Sequence, residues 1–149
     1  MTSDSTTAPE PSADRLLIIK LHGGLFGVDA DAVREIVDFP AATRLPGAPP
    51  YVRGVVNLRG QLLTVVDIGH RLTGSPATST EGSIVVVAAE GRALGLLVDD
   101  FQDVQEVQVA TADREMLARA DGLLTGVGRL GDEVVLVVDI PELVRQTLA

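Results

Sequence analysis

The sequence predicts a mainly β fold in which two SH3-sized halves share one globule, and three observations lead there. An approximate internal duplication runs at an offset of 72 residues: Gly54, Val55, Leu58 and Val65-Val66-Asp67-Ile68 recur as Gly126, Val127, Leu130 and Val137-Val138-Asp139-Ile140. Short aliphatic runs rich in β-branched residues, bounded by Gly, Asp or charged turns, dominate both copies. The chain of 149 residues is long enough for a real core, since a globule of that size buries roughly 70% of its unfolded surface. One repeat alone, sparse in aromatics, is too small for an independent domain. Two small barrels leaning on each other bury what each would leave exposed, with a groove between them.

Taken in order, Met1 to Asp14 is rich in Ser, Thr, Pro and Ala and has no basic n-region, so it reads as a disordered tail rather than a signal peptide. The folded part then spans 15–149. Leu16-Leu17-Ile18-Ile19 is the first core strand, and His22-Gly23-Gly24 supplies its turn. Leu45-Pro46-Gly47-Ala48-Pro49-Pro50 is a rigid, non-helical connector, because proline fixes its own φ and restrains the residue before it. Leu62-Leu63-Thr64-Val65-Val66 follows the Arg59-Gly60 turn. A short helix is expected over Ile68 to Leu72. Thr73 to Gly82 is the clearest loop and lies near the midpoint between the repeats. Ile84-Val85-Val86-Val87 and Leu94-Gly95-Leu96-Leu97-Val98 flank the turn Glu90-Gly91. Val134-Val135-Leu136-Val137-Val138 follows Gly131-Asp132, and a helix from Ile140 to Leu148 closes the chain. A weaker echo, at an offset of 71, pairs Val33-Arg34-Glu35-Ile36 with Val104-Gln105-Glu106-Val107.

Composition excludes several functions. There is no cysteine, so disulfides, thiolate metal sites and a cysteine nucleophile are out, as suits a reducing compartment. A net charge of −9 opposes binding to nucleic acid or to an anionic membrane surface. No apolar run approaches the roughly 18 residues of a membrane span, and a cytoplasmic protein without membrane insertion is the default. Signatures of catalysis and of cofactor binding are missing: no G-x-S-x-G, P-loop, G-x-G-x-x-G after a strand, or H-E-x-x-H. Asp67 and Asp139 resemble a carboxylate pair, but each follows an aliphatic strand and precedes a helical stretch, the place of an N-cap. Asp99-Asp100 lacks partners at metal-ligand spacing.

The ordered set Phe26-Gly27-Val28-Asp29, Val33-x-Glu35-Ile36, Pro46-x-x-Pro49-x-x-x-Arg53-Gly54-Val55-x-Asn57-Leu58-Arg59-Gly60, Val65-x-Asp67 and Gly95-Leu96-x-Val98-Asp99-x-x-x-Asp103-Val104 resembles the CheW-type coupling domain of chemotaxis, from about Leu16 to Leu148. The chain departs from the family at Thr64, where proline is frequent, and at Gly69-His70, where a charge is common. The resemblance implies two five-stranded SH3-like β-barrels around separate cores. It also implies a non-enzymatic adaptor that joins the cytoplasmic tip of chemoreceptors (methyl-accepting chemotaxis proteins) to the regulatory domain of the histidine kinase CheA, with no cofactor and no metal. Receptor contacts carried over from the family are Val33, Glu35, Gly54 and Arg59; the kinase contact lies at the end of one barrel. Alternatives are a coupling protein of a parallel chemosensory pathway, controlling pili or development, and a small β-barrel enzyme using Asp67, Asp99 and His70.

Each site residue also has a structural reading. Arg59 stands in a turn where arginine is often merely solvated, yet the second copy keeps the turn without it, so folding does not require it. Arginine is enriched among interface anchors. Glu35 reads equally as a half-exposed strand acid, like Glu106 at the echoed position. Val33 divides between core and groove. Gly54 either permits a tight backbone, as Gly126 would, or lets a partner approach.

Overall fold

The sheets do not coincide with the sequence repeats. A computed structural model describes residues 12–39, 42–76, 82–111 and 113–148, and among them ten strands form two sheets. The strands are β1 (Ser12–Leu21), β2 (Gly24–Asp29), β3 (Val33–Asp38), β4 (Val52–Leu58), β5 (Gln61–Asp67), β6 (Ser83–Ala89), β7 (Arg92–Val98), β8 (Asp100–Thr111), β9 (Leu124–Leu130) and β10 (Glu133–Val138). Helices α1 (Ile68–Thr73), α2 (Arg114–Arg119) and α3 (Ile140–Leu148) lie outside them, and a 3-10 turn covers Ala30–Ala32. One sheet closes as a barrel in the order β1-β2-β10-β9-β8; the other runs β3-β6-β7-β5-β4.

Each sheet thus takes two strands from one repeat and three from the other. The repeats meet in two antiparallel pairs, β1 with β8 and β3 with β6, and in two parallel pairs at equivalent registers, Val137 beside Gly27 and Val65 beside Gly95. Both glycines are small for the same reason. A Cβ on Gly27 would lie 2.7 Å from Leu16 Cδ1, and one on Gly95 would lie 2.9 Å from Ile84 Cγ2. Exchange of strands makes the halves inseparable.

The cores show why. Leu16, Ile18 and Val135 belong to a cluster of six buried residues inside the closed barrel, and Leu63, Val65 and Ile84 to a cluster of six inside the second sheet. A third cluster of 18, including Leu17, Ile19, Val66, Val85, Val138 and Ile140, lies between the sheets. The shared core is three times either inner one, so neither sheet is expected to persist alone. Strands buried on both faces read as continuous aliphatic runs, the feature that made β1, β6 and β10 legible.

The expected turns hold. His22-Gly23, Arg59-Gly60 and Glu90-Gly91 each connect a hairpin with two residues at positive φ, the geometry of a type I′ turn. The duplicated aspartates are caps: Asp67 Oδ1 accepts from His70 N at 3.0 Å, and Asp139 Oδ1 from Glu142 N at 3.0 Å. Even their backbone contacts repeat, Asp67 N donating to Tyr51 O and Asp139 N to Leu123 O, both at 2.7 Å.

Two boundaries differ from the sequence reading. The tail assigned to 1–14 falls mostly outside the described residues, but Ser12, Ala13 and Asp14 extend β1 by pairing with Val109, Gln108 and Val107. Part of the Thr73 to Gly82 loop, 77–81, likewise lies outside them.

Candidate functional site

The fold brings two of the four sequence candidates together. Glu35 projects from β3, Arg59 occupies the first position of the β4–β5 turn, and Arg59 Nη2 forms an ion pair with Glu35 Oε2. Their side chains are 69% and 31% exposed. A pair so open to water contributes about 0–1 kcal/mol. Arg59 also sits at φ +51, where a non-glycine residue gives up about 1–2 kcal/mol. At the equivalent place in the second copy stands Gly131, at φ +64. His22 and Glu90 hold the first position of their turns at φ +50 and +55, so this geometry admits different side chains and does not call for arginine in particular.

Around the pair lies a concavity of about 420 Å³, whose lining includes Arg34, Leu62 and Leu63. Leu62 is 74% exposed, and its counterpart in the second copy, Val134, is 49% exposed. An exposed aliphatic beside a guanidinium and a carboxylate is a composition suited to protein contact. The sequence reading placed Leu62 in a core strand. Its repetition as Val134, next to a hairpin turn in both copies, was the available signal that it emerges from the core.

Val33 does not face the same way as Glu35. In a regular strand residues i and i+2 share a face, but β3 carries a bulge: Val33 pairs with Val87 while Glu35 pairs with the adjacent Val86. Arg34 is the extra residue. Val33 therefore packs with Ile36 against the shared core, while Val37 packs against the inner core of the second sheet. Ala32, the residue before Val33, lines a larger cleft of about 700 Å³ between the sheets, together with Leu16, Ala88, Ala89 and Ile140.

Gly54 is explained by its own chain. Its φ is +136, and a Cβ there would run into the Thr43 carbonyl oxygen and lie 2.7 Å from the Thr43 carbonyl carbon. Thr43 and Val55 exchange two backbone hydrogen bonds at 2.9 Å, which draws the 42–50 connector over β4. The backbone admitted by this missing side chain is that of Thr43.

The residues of the enzyme alternative have other tasks. Asp67, buried, caps α1; Asp99 Oδ2 accepts from His22 N at 2.8 Å; His70 donates its backbone N–H to Asp67. Among the described residues no group of three or more His, Cys, Asp or Glu is arranged to hold a metal ion.

The CheW-like domain family matches residues 15–148. The chain is similar to a chemotaxis protein CheW from Klebsiella aerogenes, 31% identical over 143 residues that cover 93% of this chain and 86% of that protein. A chemotaxis protein CheW from Rhizobium meliloti is 41% identical over 107 residues, 71% of this chain and 66% of that protein. Among solved structures, the scaffolding protein TtCheW from Thermoanaerobacter tengcongensis superposes with a TM-score of 0.71 at 24% identity, covering 86% of this chain and 90% of that one. At that identity the likeness establishes the fold.

Proposed function

This chain belongs to the CheW-like domain family, and from that premise we propose that it is a non-enzymatic chemotaxis adaptor linking the cytoplasmic tip of chemoreceptors to the histidine kinase CheA. The observation that carries the reading is Arg59: an exposed guanidinium beside Glu35 and the exposed Leu62, at a turn position where the second copy has no side chain. In the receptor contact Arg59 exchanges its half-buried partner Glu35 for a carboxylate or carbonyl of the receptor. Such an exchange costs little, because the pair it breaks is worth about 0–1 kcal/mol, and a forked guanidinium binds a planar acceptor bidentately. Leu62 supplies apolar area beside it, and Glu35 sets which charges are tolerated. Val33 holds β3 to the shared core, and Gly54 shapes β4 behind the site. The kinase contact belongs elsewhere on the two sheets. Placement at receptor arrays would come through these partners; among the described residues no helix is long and apolar enough to cross a membrane.

Reconstitution tests the proposal. The wild-type chain is expected to co-sediment with a receptor-tip fragment and with CheA, and Arg59→Ala to lose the receptor while keeping the kinase. Failure of the folded wild-type chain to bind either partner would overturn the reading.

A further inference from the structure

We propose, on the premise that Arg59 makes the receptor contact, that Asn57 is the positioning residue for it: the Asn57 side-chain carbonyl holds the β4–β5 turn in the conformation that carries Arg59 to Glu35. Asn57 Oδ1 accepts from Gly60 N at 2.8 Å, so the side chain bridges the turn from the strand that enters it. Arg59 and Gly60 stand at φ +51 and +87, between the pair Leu58 and Gln61 that closes the hairpin. Gly60 N belongs to the peptide that Arg59 begins, and the bond therefore restrains the backbone from which the Arg59 side chain departs. That restraint matters because β3 and β4 are the two ends of the second sheet, in the order β3-β6-β7-β5-β4. No ladder of the described sheet joins β3 to β4 or β5, and the Arg59–Glu35 ion pair spans from one to the other through a long side chain.

Hairpin closure alone does not call for Asn57. The β1–β2 and β6–β7 hairpins close through His22-Gly23 and Glu90-Gly91 with the same two positive φ angles. At the place of Asn57 they have Lys20 and Ala88, neither of which offers a side-chain acceptor. Their tip residues also reach across the fold, and each is fixed from outside its hairpin. Asp99 Oδ2 accepts from His22 N at 2.8 Å, and the Arg145 that meets Glu90 is braced by Glu142 on the same helix. At Arg59 the restraint comes from within the hairpin, through Asn57. The second copy lacks the contact residue and the restraint together, with Gly131 and Arg129 at the two places.

Titration calorimetry with a receptor-tip helical hairpin fragment, paired with amide NMR of the free chain, tests the assignment. Asn57→Ala should weaken binding ~5-fold, the order expected for one hydrogen bond. It should shift or broaden the Arg59 and Gly60 amide signals, while the melt stays within the spread of surface substitutions. Asn57→Asp keeps an acceptor at the same place and should restore both the signals and most of the affinity. In the Arg59→Ala background, Asn57→Ala should change affinity less than ~2-fold, because a residue that acts through Arg59 has nothing left to position. If Arg59→Ala lowers affinity and Asn57→Ala does not, or if Asn57→Ala costs as much in the Arg59→Ala background as in the wild type, positioning is overturned while receptor docking stands. If the fragment does not bind the folded wild-type chain at all, the docking reading falls and the role of Asn57 with it.

Discussion

Replacing Gly54 by alanine separates a residue that touches a partner from one that shapes the site. At φ +136 an alanine is strained, a cost of about 1–3 kcal/mol. Its Cβ would also collide with the Thr43 carbonyl, so the connector must lift off β4. Lifting it sacrifices the two 2.9 Å bonds between Thr43 and Val55, about 1 kcal/mol each. Alanine returns about 0.4–1 kcal/mol by restricting the unfolded chain. The net expectation is a loss of about 2–4 kcal/mol, a large share of the ~5–15 kcal/mol typical of a domain. With an m-value of about 2 kcal/mol/M, the urea midpoint should fall by ~1–2 M. Receptor affinity, measured where the variant is still folded, should change little. An unchanged midpoint combined with lost receptor binding would refute the reasoning and make Gly54 a contact residue.

Arg59→Gly should be more stable than Arg59→Ala by ~1 kcal/mol, because only glycine is at ease in the left-handed turn, yet both should weaken receptor binding by ~2 kcal/mol or more; paired thermal melts and calorimetric titrations check this, and equal melts would remove the strain argument. Asp67→Ala and Asp139→Ala should each cost ~1 kcal/mol, with Asp67 toward the upper end of ~2 because it is buried, while Asp→Asn should be nearly neutral at Asp139; urea melts of the variants decide. Hydrogen bonds from Gln146, then from Arg145, hold the Glu142 carboxyl below its ordinary value. A lowered folded-state pKa gives stability that is present above the unfolded value and lost as pH falls. The gap in urea midpoint between wild type and Glu142→Gln should therefore be widest near neutrality and close below about pH 4.3; a gap independent of pH would contradict the assignment.

How much was legible follows from the period of each signal. The duplication exposed the caps, the turns and the helices α1 and α3, because a repeated local motif carries its local hydrogen bonds with it. It could not reveal the exchange of strands, since an offset of 72 is the same whether β2 pairs within its repeat or with β10 of the other. Five of the ten described strands, β2, β3, β4, β8 and β9, carry no continuous aliphatic run and were not identified as core strands, and α2, at six residues, is too short to show an apolar stripe.

The candidate site was half visible for a related reason. Val33 and Glu35 sit two apart, and an alternating strand would give them one face; the bulge at Arg34 separates them, and no residue type there marks it. Arg59 was visible because the equivalent turn of the second copy closes without its side chain. Gly131 meets the demand for positive φ directly, whereas Arg59 meets it under strain. Arg59 stands beside Glu35 and the exposed Leu62. Asymmetry between equivalent positions supports the proposed docking surface, while residues shared by both copies, Gly54 and Gly126 or Asp67 and Asp139, report on the fold. Partner loss in a variant of a shared position should accordingly track its loss of stability, and partner loss at Arg59 should not.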